Sequence, residues 1–447
     1  MSTIFDNFNG TVDLKVFKKN NPDPKTPLRR HYLSLVGLLQ YVDIMNGDAE
    51  GSLPAGWNEN TIAGMLNHCI GDLDTRIAAI SPSPAPVTKN YFYVENISNE
   101  PATFTITRKG ASVPFDSIEI SDDKENWTEL ILNNDIYTFD IQATSKVYMR
   151  AEQSSWNGWN ISSTQFNVGG NIMSLLYGSN FEYKETLETA DVFNGIFQRS
   201  NVVNASSLML PATELSENCY KYMFYRSSLV SAPSLPATTL AQGCYNNMFA
   251  YTEIETAPQL PAQILSPGCY WAMFYGCTNL EQAPILSSME LSTNCYTAMF
   301  YGCTSLVTAP ALPATSLADY CYMSMFNSCT SLVNAPELPS RYLFRSCYAS
   351  MFSGCTSLIE SPVLPATSLL NHCYGSMFSG CTNLNKVTTY AETGTDAGSA
   401  TGGNTYNWLD NVAQNGTFYN LGRATYEQDS TSGIPEGWTV SPNPLQE

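Results

Sequence analysis

Charge is scarce in this chain. Charged residues make up 14% of the 447 positions, against about a quarter in an ordinary soluble domain. Basic residues are the rarer kind: 21 Lys and Arg stand against 40 Asp and Glu, a formal net charge of −19. Such a field repels phosphate backbones and anionic lipid, so no nucleic-acid partner is expected. No stretch approaches 18 consecutive apolar residues, and no membrane insertion is expected. The first twenty residues carry Asp6 and Asp13 and no apolar run, which is not a signal-peptide pattern. Histidine is confined to His31, His68 and His372. None stands at metal-ligand spacing or beside a Gly-x-Ser-x-Gly elbow. There is no Gly-x-Gly-x-x-Gly and no P-loop. Catalytic residues, metal ligands and cofactors are therefore expected to be none. A carboxylate pair in a groove obeys no linear spacing rule and stays open.

Apolar material is plentiful at 43%, enough to bury a core, and the length asks for several domains. Residues 1–80 read as a helical anchor. Helical spacing runs from Leu28 to Met45, and a second segment places Ile62, Met65, Leu66, Cys69, Leu73, Ile77 and Ile80 at steps of three and four. This near-heptad seam either folds back on the first helix or joins copies of the chain. Eighty residues with so little apolar content make a poor core alone. Ile62, Leu66, Cys69, Leu73, Ile77 and Ile80 are the candidate oligomerisation residues, with a trimer weakly favoured. Residues 81–87 hold Pro82, Pro84 and Pro86, a stiff polyproline-type linker.

Residues 88–151 read as β. Short runs at 91–94, 102–107, 117–120, 127–132, 137–141 and 146–150 are separated by Asn, Asp, Gly and Pro clusters. The expected form is a small Ig-like β-sandwich without a cysteine pair. Asp122-Asp123-Lys124-Glu125-Asn126 reads as a solvated turn, with a calcium loop as the alternative.

From about residue 190 the chain repeats. Cys-Tyr pairs begin at Cys219, Cys244, Cys269, Cys295, Cys321, Cys347 and Cys373, spaced by 25 or 26 residues, and Met-Phe follows each after two variable positions. A fixed period of this size means a solenoid. Cys-Tyr-x-x-Met-Phe puts apolar groups at i, i+1, i+4 and i+5, which predicts a short helix. The Leu-x-x-Ala-Pro-x-Leu-Pro segment that follows is too proline-rich for a helix and predicts an extended arm with irregular pairing. A second cysteine occurs at Cys277, Cys303, Cys329, Cys355 and Cys381, where the first two copies have Ser227 and Thr252. Hydroxyls in place of thiols point to a small buried side chain, so free thiols are expected. The flanks read as caps: 152–388 is solenoid with its N-terminal cap, 389–447 the C-terminal cap. After Met-Phe come Tyr225, Ala250, Tyr275 and Tyr301, then Asn327, Ser353 and Ser379. Together with Trp271 these tyrosines are the candidate ligand-binding residues. Packing against neighbouring rungs is the other reading.

Phe-x-Gly-Cys-Thr-Ser-Leu-x-x-Ala-Pro-x-Leu-Pro, at Phe300–Pro313, resembles the BspA-type leucine-rich repeat. Met-Phe stands at that family's Ala-Phe position, and the likeness covers about 190–388. The same repeat and sandwich occur in proteins similar to the fibres of phages infecting gut Bacteroidales (crAss-like phages). Added to the helical N-terminal anchor and the small Ig-like β-sandwich read above, the resemblance implies an α/β leucine-rich-repeat solenoid with caps, in a multidomain chain. It implies a non-enzymatic head-fibre, capsid-decoration or tail-fibre protein. Residues 1–80 would meet virion capsid or tail proteins, and the solenoid would meet a host surface protein or carbohydrate. A bacterial cell-surface adhesin is the alternative.

Overall fold

The computed structural model describes residues 89–108, 117–395, 403–428 and 432–441. The helical anchor expected at 1–80, its seam residues Ile62, Leu66, Cys69, Leu73, Ile77 and Ile80, and the linker at 81–87 all lie outside these residues. The expected fold class, with a helical anchor and an α/β solenoid, is corrected to a β class. The single helix among the described residues is α1 (Ser174–Tyr177), four residues long, and the remaining elements are strands joined by turns.

Eight strands come first: β1 (Phe92–Asn96), β2 (Ala102–Arg108), β3 (Ile118–Ser121), β4 (Thr128–Glu129), β5 (Ile136–Ile141), β6 (Lys146–Ala151), β7 (Trp159–Ser162) and β8 (Phe166–Asn171). Side chains of β1, β2, β5 and β6 alternate as a half-buried sheet requires. In β2, Ala102, Phe104 and Ile106 are buried, while Thr103, Thr105 and Thr107 turn outward or toward the rim. Strands β5, β2 and β7 form one sheet; β4, β3, β6, β1, β8 and β9 (Val202–Met209) form the other. Phe104 of β2 meets Phe166 of β8 edge-on at 5.3 Å across the core. The sandwich therefore continues past residue 151 and takes in β7 and β8.

Strand β8 belongs to two structures at once. It pairs antiparallel with β1 of the sandwich and parallel with β9, the first arm of the solenoid. One sheet thus runs from sandwich to solenoid without a linker.

The rung is where the expected helix fails. Its backbone enters the left-handed region every fourth residue. In the first Cys-Tyr copy the positive-φ residues are Asn218, Tyr222 and Arg226; in the fourth they are Asn294, Ala298 and Gly302. Between them, Cys219, Lys221, Met223 and Tyr225 donate their N–H three residues back, as turns do. The alternate residues Tyr220, Tyr222, Phe224 and Arg226 donate instead to Cys244, Asn246, Met248 and Ala250 of the next rung. A helix would spend every one of these N–H groups on itself. Here half of them tie rung to rung, which is how the stack closes its backbone hydrogen bonds.

A four-residue turn period keeps the apolar side chains in register. Cys, Tyr, Met and Phe of each rung are all buried and stack on their counterparts. The phenylalanine column runs Phe197, Phe224, Phe249, Phe274 and onward to Phe378, with neighbouring centroids 5.3 to 5.7 Å apart. The tyrosine column starts at Phe193 and runs through Trp408, 6.4 Å from Tyr374, to Tyr426, which stacks on Trp408 at 5.6 Å. Each such pair is worth about 0.5–1.5 kcal/mol beyond its buried area. The arms behave as their prolines demand. They pair mostly through isolated parallel bridges such as Asn204 to Ser231 and Thr308 to Asn334. Regular pairing returns in the parallel sheet of β10 (Glu360–Leu364), β11 (Lys386–Thr389), β12 (Thr417–Asn420) and β13 (Thr439–Ser441).

Candidate recognition face

Two positions of the turn segment face outward near its end: the residue after Met-Phe, and the positive-φ residue after that. Rings fill both over the first rungs. Tyr222 meets Tyr225 edge-on at 5.3 Å, and Tyr225 meets Tyr251 edge-on at 5.7 Å. Tyr251 lies 5.2 Å from Tyr275, and Tyr275 stacks on Tyr301 at 4.5 Å with 6° between planes. Arg226 sits over Tyr251 and Tyr225 at 4.7 and 5.4 Å. The row is half-buried at Tyr225, Tyr275 and Tyr301, and Tyr251 is 41% exposed.

Three of the four candidates, Tyr225, Tyr275 and Tyr301, are thus brought together. Trp271 is exposed but makes none of these ring contacts among the described residues. It stands four residues earlier in its rung than Tyr275, on a different part of the turn. Tyr251 was missed because it stands one residue past the repeat position of Tyr225, Tyr275 and Tyr301, which in its rung is Ala250. It reaches the row by lying over Gly276, where an added Cβ would come within 2.7 Å of its ring. Burial first, then the phenols of Tyr251 and Tyr301, push the Tyr275 hydroxyl up to about 12. Arg226 is the one cation set over the row.

Nucleophilic chemistry finds little here. The twelve described cysteines are all buried, and none is in a disulfide. Burial pushes Cys277 up to about 11 and Cys381 up to about 12, so the reactive thiolate is disfavoured. The second-column thiols donate to phenylalanine carbonyls of the preceding rung, as Cys303 does to Phe274 at 3.1 Å. Ser227 and Thr252 donate to the Phe224 and Phe249 carbonyls of their own rungs at 2.8 and 2.7 Å.

A groove of about 450 Å³ lies between β6, α1 and the first rung, with Glu152 and Glu188 in its lining. Both residues are exposed, unlike the desolvated carboxyl that a general acid requires. The acidic turn at 122–126 is filled by its own chain. Asp123 Oδ1 accepts from Ser121 Oγ, Glu125 N and Asn126 N at 2.7 to 2.9 Å, and Oδ2 accepts from Asn126 Nδ2. The Asn126 and Glu125 hydrogen bonds hold this carboxylate well below the usual range, which is a turn's use of an aspartate. Among the described residues no group of three or more His, Cys, Asp or Glu could hold a metal, and no helix is long and apolar enough to cross a membrane.

No protein-family model, no curated protein and no solved structure matches the chain.

Proposed function

We propose that this chain is a non-enzymatic recognition arm whose solenoid binds a host surface carbohydrate or protein through its tyrosine row. The observation that carries the reading is the continuous ring contact from Tyr222 through Tyr225, Tyr251 and Tyr275 to Tyr301. It ends abruptly where the same position becomes Asn327, Ser353 and Ser379. Aromatic faces held rigidly on a scaffold supply contact area at little entropic cost. The core does not need these rings, since the later rungs stack equally well without them.

The repeat's resemblance supports a place on a phage virion, as head fibre, capsid decoration or tail fibre. Residues 1–80 would join the arm to capsid or tail proteins and to other copies. A bacterial cell-surface adhesin is the second reading; the position of the gene among capsid, portal and tail genes or elsewhere separates the two.

The binding test uses the full chain on intact Bacteroidales cells and on immobilised surface glycans. Tyr275→Ala with Tyr301→Ala should weaken binding about tenfold or more, as loss of an aromatic anchor does. Binding that is unchanged in this variant and in Tyr251→Ala overturns the assignment of the face. Sedimentation of the full chain and of residues 81–447 tests the anchor: the same oligomer in both removes that role from 1–80.

A further inference from the structure

The fifth Cys-Tyr rung breaks the repeat at one place. Where the fourth rung ends Ala314-Thr315-Ser316-Leu317-Ala318-Asp319, the fifth reads Ser340-Arg341-Tyr342-Leu343-Phe344-Arg345. Small polar residues are exchanged for two arginines and two aromatics, with only the buried Leu343 kept.

The bend at this position recurs along the solenoid, but here the bridge that usually follows it is missing. In neighbouring copies this column is bridged, Leu291 N to Ser316 O and Leu369 N to Thr393 O. At Arg341–Tyr342 the chain makes a bend, and the Ser340 hydroxyl donates to Thr315 O and Tyr342 O at 3.0 and 2.9 Å to hold it. Tyr342 is 80% exposed, as Ile264 at the same repeat position is at 83%, and Phe344 is 43% exposed. Leu370, the counterpart of Phe344 on the next rung, extends the apolar surface at 51%. Arg345 lies beside Tyr320, its guanidinium carbon 5.5 Å from the ring centre.

Neither guanidinium is ion-paired among the described residues, although Arg345, like Lys221 and Arg226, lies over a tyrosine ring. Residues 200–395 hold Lys221, Arg226, Arg341, Arg345 and Lys386 as their cations. Lys386 is paired with Glu360 at 2.8 Å, and Lys221 and Arg226 lie over tyrosine rings. Arg341 and Arg345 are both exposed. Two arginine forks outside any such ion pair, beside exposed rings and on a chain of net charge −19, call for an anion with an apolar face.

Size decides which anion. A stable protein partner needs about 800 Å² on each side and some twenty residues. The cluster spans one rung and the Leu370 of the next; its other neighbours are short and polar, Thr315, Ser316 and Asp319 before it, the last accepting from Arg345 N at 3.1 Å, and Thr367, Ser368 and Asn371 after it. One or two sugar rings fit that footprint. Their carboxylates would take the planar arginine fork, and their C–H faces would lie on Tyr342 or Phe344. We infer that Arg341, Tyr342, Phe344 and Arg345 form a binding site for a carboxylated sugar within an acidic glycan. This site is separate from the tyrosine row and does not rest on it.

The experiment titrates the full chain with galacturonate oligomers and a sialylated oligosaccharide, each beside a carboxyl-reduced form, and with a polyglutamate peptide. Binding of at least one acidic sugar is expected, with its reduced form at least tenfold weaker. Arg341→Gln, Arg345→Gln and Tyr342→Ser should each weaken it about tenfold, while Lys386→Gln, which removes a charge elsewhere, should not. Arg341→Gln and Tyr342→Ser alter exposed side chains, so they remain informative if Arg345→Gln disturbs the fold. Failure of both acidic sugars to bind, equal binding of the reduced forms, or indifference to the Arg341 and Tyr342 changes overturns the site. Polyglutamate binding as tightly as the sugars would reassign it to an acidic peptide.

Discussion

Phe92 of the sandwich stacks on Phe197 of the first rung, 6.1 Å between ring centroids and 29° between planes. The phenylalanine column of the solenoid therefore begins outside the solenoid. The backbone is closed at the same place. The Val192 and Ile196 carbonyls, which in a later rung would accept from the rung before, accept here from Trp156 N and Ile161 N at 2.6 and 2.8 Å. A repeat stack needs its first hydrophobic rung covered, and the sandwich covers it.

Asn160 completes this cap and supplies a first test. It is buried, and its amide donates to the carbonyls of Gly195, Ile196 and Gln198 at 3.3, 3.3 and 2.9 Å. Asn160→Ala leaves these acceptors short and should cost about 1–3 kcal/mol. The loss should appear first as faster hydrogen exchange at amides 191–199, with the rungs beyond Met299 unchanged. A uniform change along the solenoid, or none, would mean that the sandwich is only attached and does not cap.

The two cysteine columns should respond differently to serine. The second column already accepts hydroxyls, since Ser227 and Thr252 find phenylalanine carbonyls there. Cys303→Ser should therefore cost less than about 1 kcal/mol. The first column is apolar: its counterpart in the first rung, one residue before Phe193, is Val192. A hydroxyl brought in by Cys295→Ser should cost about 1–3 kcal/mol. Urea unfolding of the two variants beside the parent decides it, and equal losses would remove the distinction between the columns. Thiol counting on the denatured, non-reduced chain should find most of the repeat cysteines free.

Much of the fold could be read in advance because strands and columns follow side-chain period. The runs near 102–107, 137–141 and 146–150 became β2, β5 and β6, and every Met-Phe pair became core. The helix misreading has a specific cause. Apolar spacing of four residues differs from 3.6 by less than one residue over two turns, so the side-chain pattern alone cannot separate a helix from a chain of turns. The separating signal was present in Asn218, Gly243, Gly268 and Asn294, followed eight residues later by Gly276 and Gly302 in the third and fourth copies. These residue types suit positive φ. The tyrosine row was legible where it kept one repeat position, and was missed at Tyr251, where a ring crosses into the space above a glycine. The sandwich boundary was set too early because β7 is short and β7 and β8 carry Asn160, Asn167, Gly169 and Gly170, which weaken a strand pattern.

The turn chain makes an unusual stability claim about alanine. Ala298 sits at φ +53, a conformation that costs an L-residue roughly 1–2 kcal/mol. Glycine takes it freely but loses more entropy on folding. Ala298→Gly should therefore be neutral or stabilising by up to about 1 kcal/mol, the reverse of its effect in a helix, where glycine costs about 1 kcal/mol. Ala314, buried in the arm and absent from the positive-φ residues, is the control, and Ala314→Gly should destabilise. Thermal unfolding of both variants checks the pair. A loss of about 1 kcal/mol at Ala298 would restore a helical rung.

The tyrosine column should make the protein unusually sensitive to alkali. Burial pushes Tyr220, Tyr245, Tyr270, Tyr296, Tyr322, Tyr348 and Tyr374 well above the ordinary value of 10.0. A hydroxyl whose proton is held more tightly in the folded chain favours the fold fully below pH 10. That contribution is lost as pH rises, because the unfolded chain then releases protons that the folded chain keeps. Each such group steepens the loss by roughly 1.4 kcal/mol per pH unit. Seven together reach on the order of 10 kcal/mol per pH unit. The buried thiols act in the same direction from about pH 9, with Cys277 pushed up to about 11 and Cys244 and Cys295 to about 12. The column should then ionise in one sharp step above pH 10 that coincides with loss of near-ultraviolet circular dichroism. If absorbance at the phenolate band instead rises gradually to its full amplitude while the dichroism persists, the tyrosines are not held in a closed column.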